Sequence, residues 1–83
     1  MYSKRFVYIL KTVSSPAKYY TGLTSDPSAR LAQHNAGKCD STAKLGPWQA
    51  DVVIEFTDER RAASFERYLK SGSGCSFAAR HFR

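Results

Sequence analysis

The sequence predicts an α/β (α+β) fold: a small three-stranded, mostly antiparallel sheet flanked by helices, in the order β-β-α-β-α-α. Three observations predict it. Two runs of strand-forming residues flank one turn-forming stretch, a third run alternates apolar and polar residues with a period of two, and the remaining segments carry helix caps and apolar residues at helical spacing.

The first strand is expected over Arg5 to Thr12, because Phe6 to Leu10 is wholly apolar and rich in aromatic and β-branched residues. "SSPAK", residues 14 to 18, breaks that run with serine and proline, and Tyr19 to Leu23 resumes strand character. The two runs form an antiparallel hairpin that brings Tyr8 and Tyr20 together on one sheet face; a slip of one residue would turn either ring to the other face. "TSDPSARLAQHNAG" reads as a helix from Pro27 to about Ala36, with Asp26 as N-cap, Pro27 in the first turn and Gly37 as C-terminal cap. Arg30 and His34, four apart, share a face directed at a cleft, while Leu31 and Asn35 occupy the next row and Leu31 helps bury the helix.

Residues 37 to 47, "GKCDSTAKLGP", lack apolar periodicity and form a loop that carries Lys38 and Lys44 and is able to close over a ligand. Trp48, Ala50, Val52, Ile54 and Phe56 alternate with Gln49, Asp51, Val53 and Glu55, the pattern of a half-buried third strand. Thr57 or Asp58 caps a second helix built on Ala62, Phe65 and Leu69, with Glu66 beside that stripe, and "SGSG" at 71 to 74 ends it. A last helix from about Cys75 to Phe82, anchored by Phe77 and Phe82, covers the remaining core.

A chain of 83 residues holds one domain, 1–83, and 42% hydrophobic with 24% charged residues is a globular rather than a disordered composition. The net charge of +6 comes from 13 Lys and Arg spread along the chain, which implies a folded basic surface suited to a polyanion. No segment approaches the roughly 20 apolar residues of a membrane span, so no membrane partner and a cytoplasmic location are expected. Cys39 and Cys75 are too few for a disulfide framework, and His34, Cys39, Cys75 and His81 lack the tight spacing of a structural zinc site.

The order of elements, with a tyrosine in each hairpin strand and glycine closing the second, resembles the GIY-YIG nuclease family. "FVY" at 6 to 8 stands where the first signature falls and "YTG" at 20 to 22 stands for the second. Arg30 and His34 in "ARLAQHN" match the family's helical Arg and its His or Tyr position, and Glu66 in "SFERYLK" resembles its metal-binding glutamate. The resemblance covers nearly the whole chain and is greatest to the small single-domain bacterial members, related to the catalytic domain of structure-specific repair and recombination endonucleases. Phe6 and Val7 replace the first signature's glycine and isoleucine, Thr21 replaces the second's isoleucine, and no asparagine follows Asn35, where several family nucleases carry one late in the chain.

The resemblance implies an endonuclease, a hydrolase of phosphodiester bonds in DNA, that uses a single Mg²⁺ or Mn²⁺ and acts in repair or recombination. The chemistry needs an activated water, neutralisation of phosphate charge and help for the departing 3′ oxygen. Glu66 is the implied metal ligand, Arg30 the donor to nonbridging oxygens, Tyr8 the general base or water-positioning group and Tyr20 the group orienting phosphate or water. For Tyr8 to act as a base, nearby positive charge from the metal, Arg30 or Lys11 must lower its pKa from near 10. His34 either takes that proton or positions Tyr8, and the sequence leaves the two open as base.

Lys11, Lys18, Lys38, Lys44 and Lys70 are candidates for backbone contacts, which position nucleic acid without reading its sequence. Branched, flapped or single-stranded DNA is therefore the expected partner, RNA is not excluded, and a protein partner would supply any specificity. Each residue also has a plainer use. Tyr8 and Tyr20 make a cross-strand aromatic pair, Gly22 relieves crowding at a strand end, Arg30 and His34 are helix-surface residues, Glu66 pairs with Lys70 at i, i+4, and the lysines solubilise. The competing classes are a non-catalytic nucleic-acid-binding module on the same fold and a small protein-interaction domain with incidental charge.

Overall fold

In the computed structural model, which describes residues 5–38 and 42–83, β1 (Arg5–Thr12) is the middle strand of an antiparallel sheet ordered β2-β1-β3. Both faces of that strand are covered, which is why the unbroken run Val7 to Leu10 is buried throughout. The hairpin joins β1 to β2 (Tyr19–Thr24), and Thr12 closes it: its N–H donates to the Lys18 carbonyl at 2.9 Å while its hydroxyl accepts the Lys18 N–H at 2.9 Å. β3 (Trp48–Phe56) lies along the other side of β1. The order β-β-α-β-α-α is the one expected, and no helix among the described residues is long and apolar enough to cross a membrane.

The two faces hold different contents. On one, α1 (Pro27–Asn35) covers Tyr8, Leu10 and Trp48, with Tyr20 and Leu31 against them. On the other, α2 (Glu59–Leu69) and α3 (Gly72–His81) bring Ala62, Leu69 and Ala78 onto Val7 and Ile9, and Phe56, Phe65, Phe77 and Phe82 pack around them. Full burial of a side chain such as Ile9 contributes about 1.5–3 kcal/mol, so this second face is the hydrophobic core.

The alternation of β3 is interrupted. Ile9 pairs with Val52 and Leu10 with Ala50, leaving Asp51 without an opposite residue, a bulge. Val52, Ile54 and Phe56 therefore share the face of Val7 and Ile9, whereas Trp48 and Ala50 share the face of Tyr8 and Leu10. The apparent single stripe from Trp48 to Phe56 is two half-stripes, and the bulge delivers Trp48 to the α1 side.

Helix ends follow local chemistry. The Asp26 carboxylate accepts the Ala29 N–H at 3.1 Å, and Gly37, at φ 74°, closes α1 with two bonds, from its N–H to the His34 carbonyl and from the Lys38 N–H to the Gln33 carbonyl. Asp58 caps α2 by accepting the Arg60 N–H at 2.9 Å. The last helix starts three residues before the expected Cys75, because the Ser71 hydroxyl accepts the Gly74 N–H at 3.1 Å and acts as N-cap. "SGSG", expected to end α2, is thus also the cap and first turn of α3.

Asn35 ties α1 to β3. Its side-chain oxygen accepts the Trp48 N–H at 2.7 Å, and its amide donates to the Trp48 carbonyl at 3.0 Å. The start of β3 is thereby held by a side chain from the end of α1. Asn35→Ala is expected to lower stability by about 1–3 kcal/mol, since both Trp48 backbone groups lose their partner; an unchanged urea midpoint would refute the clamp.

Candidate active site

Tyr8 and Gly22 are direct cross-strand partners, and the Tyr8 ring lies over the glycine. A methyl group on Gly22 would run into the Tyr8 hydroxyl and ring edge. The glycine of "YTG" is therefore the floor across which Tyr8 reaches, more than relief at a strand end. Leu10 pairs with Tyr20, so both tyrosines occupy the α1 face as expected, with ring centroids 6.3 Å apart.

Tyr8 Oη lies 2.9 Å from His34 Nε2. His34, expected at a cleft surface, is only 1% exposed, and its Nδ1 lies 2.7 Å from Thr42 Oγ1. The Thr42 carbonyl in turn accepts the Trp48 indole N–H at 3.3 Å. Burial lowers the His34 pKa from its ordinary value, and the nearby Arg30 guanidinium lowers it further, so the ring is neutral near pH 7. A neutral imidazole has one N–H and one bare nitrogen. With the proton on Nδ1 it donates to Thr42 and leaves Nε2 to accept the Tyr8 hydroxyl.

Thr42 is the residue that sequence reasoning missed. It sits in a Ser/Thr-containing loop without periodicity, so nothing in the local pattern distinguishes it from its neighbours. Far from hanging free to close over a ligand, this part of the 37–47 loop is fastened to His34 and Trp48 by a fully buried threonine. Cys39, in the same loop, lies outside the described residues.

Above this buried line sits Tyr20, half-exposed, its centroid 4.8 Å from His34 and 6.5 Å from the edge-on Trp48. Lys70 Nζ lies 5.9 Å from the Tyr20 centroid and 2.6 Å from Glu66 Oε2. The i, i+4 ion pair of the plainer reading is therefore formed. Because Lys70 also overlies Tyr20, the pair also links α2 to the tyrosine cluster. Arg30 is half-buried and donates from Nη1 to Gln33 Oε1 at 2.7 Å.

The other lysines divide. Lys11 pairs with Tyr19 and Gln49 and emerges on the face opposite Tyr8, so the charge available beside Tyr8 comes from elsewhere than Lys11. Lys18, Lys38 and Lys44 are exposed, in the hairpin loop, just beyond α1 and in the α1–β3 loop. Among the described residues no three His, Cys, Asp or Glu gather; His34 lies on the α1 face and Cys75 and His81 on α3 across the sheet. The half-buried carboxylate of Glu66, with 15% of its side chain accessible, suits a hard cation that keeps most of its waters and takes one protein ligand.

A short antiparallel sheet with Tyr8 laid over Gly22, Tyr20 beside it, a buried helical histidine against both rings and Glu66 joined to Tyr20 through Lys70 makes up the site. The family model described as the GIY-YIG catalytic domain matches residues 4–75, and the chain belongs to that family. Among curated proteins it is 40% identical over 65 residues to the structure-specific endonuclease subunit slx1 of Talaromyces marneffei, covering 71% of this chain and 17% of that protein. It is 41% identical over 71 residues to SLX1 of Candida dubliniensis, covering 77% and 25%, and 37% identical over 70 residues to the SLX1 homolog of Drosophila persimilis, covering 72% and 24%. The chain thus spans a quarter or less of the length of these fungal and insect relatives. No solved structure gives a significant match.

Two outcomes follow from this geometry. Gly22→Ala is expected to push Tyr8 off His34 and cost about 1–3 kcal/mol of stability, seen as a lower urea midpoint together with a raised His34 pKa by NMR; a His34 titration unchanged from the wild type would refute the close approach. Because the folded-state pKa of His34 is depressed, the unfolded chain binds more protons below about pH 6.5. Stability from this site is therefore full above that pH and falls as the pH drops below it toward the depressed value. His34→Gln should flatten the decline between pH 7.5 and 5.5, and an equal decline in both proteins would place its source elsewhere.

Proposed function

We propose that this domain is a metal-dependent endonuclease that hydrolyses phosphodiester bonds in branched, flapped or single-stranded DNA during repair or recombination. The hydrogen bond from Tyr8 to a buried, neutral His34 carries the reading. The names of its relatives, structure-specific endonuclease subunits, support a shape-directed nucleic-acid substrate and, in the word subunit, a protein partner, to which this reading assigns any specificity. The exposed Lys18, Lys38 and Lys44 are suited to phosphate contacts, which carry no sequence information and so support selection by shape as well.

Tyr8 accepts a proton from the attacking water and passes its own to His34 Nε2, while Thr42 holds the ring in the tautomer that can receive it. The water oxygen bonds to phosphorus as the bond to the 3′ oxygen breaks, and a solvent proton completes the 3′ hydroxyl. Tyr20 fixes the phosphate or the water, and Arg30 donates its fork of N–H groups to the nonbridging oxygens. Glu66 would hold one Mg²⁺ or Mn²⁺, which when bound supplies positive charge beside the phosphate. Lys70 then leaves the carboxylate for a phosphate oxygen.

The test is cleavage of labelled single-stranded, flap and branched DNA with Mg²⁺ or Mn²⁺. Glu66→Ala and Tyr8→Phe are each expected to slow cutting by about 10²–10⁴-fold without loss of fold. Cutting that survives Glu66→Ala overturns the site, and binding of all three substrates without cutting makes the domain a non-catalytic nucleic-acid module.

A further inference from the structure

Tyr19, Tyr20 and Thr21 form one wall of a groove of about 370 Å³, closed by Leu69 and Lys70 at the end of α2, by α3, and by Arg83. The groove runs along the outer edge of β2, which has no strand beyond it among the described residues. On its lining Lys70 Nζ lies 5.9 Å from the Tyr20 centroid. The Arg83 guanidinium lies over the Tyr19 ring, 3.7 Å from its centroid, and Tyr19 is 38% exposed.

Charge selects the occupant. From Arg67 to Arg83 the chain carries four Lys and Arg and no Asp or Glu, and two of the four line the groove: Lys70, whose ammonium also meets Glu66, and Arg83. An anion that is also flat and apolar on its faces fits a pair of cations interleaved with two tyrosines. A carboxylate-bearing peptide would use the cations and leave the rings unused. Nucleotides use both, since phosphates meet Lys70 and Arg83 while a base stacks at the Tyr19–Arg83 pair.

We propose that this groove is a binding subsite for a single strand of nucleic acid, leading from Tyr20 along the β2 edge to a base-stacking step at Tyr19 and Arg83. The inference builds on the nuclease reading in placing Tyr20 at the cleaved phosphate, and it accounts for how an unpaired arm would be recognised. A paired arm is too wide to lay a base on Tyr19, so the subsite favours single strands over blunt duplex.

Fluorescence anisotropy with a labelled oligo-dT strand and a labelled blunt duplex tests it. Tyr19→Ala and Arg83→Ala are expected to weaken oligo-dT binding about 5- to 100-fold and duplex binding by less than about twofold, and Tyr19→Phe to keep wild-type affinity. Arg83→Ala should also lower the salt slope for oligo-dT by about 0.7, which Tyr19→Ala should do less. Equal loss on both probes, no loss on oligo-dT, or no oligo-dT binding by the wild type would overturn the subsite, as would a poly-glutamate peptide that competes as well as unlabelled oligo-dT at equal charge. Hydrolysis is read separately. If the wild type cuts nothing while the two variants lose oligo-dT, the subsite stands and the nuclease reading falls; if it cuts normally while the variants bind normally, the reverse holds.

Discussion

Everything at the candidate site depends on one contact across the hairpin, the Tyr8 ring lying over Gly22. The pairing of β1 with β2 puts those residues opposite one another, and only the absence of a side chain at 22 lets the phenol extend far enough to meet His34. Register is usually enforced by burial of an apolar face. Here both faces of β1 are covered, so a slip of one residue would bury Tyr8 in the phenylalanine core and expel Val7 and Ile9 to the polar side.

The sheet thereby separates two kinds of interior. Beneath α2 and α3 it is apolar and held by area. Beneath α1 it is a polar line of Tyr8, His34 and Thr42, all at least 98% buried, in which each group is satisfied by the next. Buried polar groups are costly when unpartnered and specific when fully paired. This line fixes the helix, the loop and the middle strand relative to one another, and Asn35, the residue after His34, repeats the device by holding the Trp48 backbone.

Charge is kept away from that interior. His34 is held neutral by burial and by Arg30, while the cations sit on the rim, with Lys70 spanning from Glu66 to Tyr20. A Lys–Glu pair whose ammonium stands largely in solvent contributes little to stability, so the Glu66–Lys70 contact matters through position: it holds a carboxylate and an ammonium at the edge of the tyrosine cluster. Tyr20 and Lys70 also line the groove that takes in Tyr19 and Arg83.

Much of this was legible in the residues themselves. The three strands, Asp26 and Gly37 as the ends of α1, and the shared face of Tyr8 and Tyr20 follow from local preference and short-range periodicity, which act over a few residues and need no distant partner. The hairpin and the pairing of Glu66 with Lys70 are of the same kind. Where distant segments meet, the sequence was silent. The bulge at Asp51 splits the β3 stripe because β1 must satisfy two faces at once, and Thr42 becomes a partner of His34 only when the loop folds back. The sequence by itself determined the elements and the residue types able to do phosphate chemistry. Tertiary structure decided which of them touch, because burial and register depend on contacts between residues far apart in the chain, which no local pattern records.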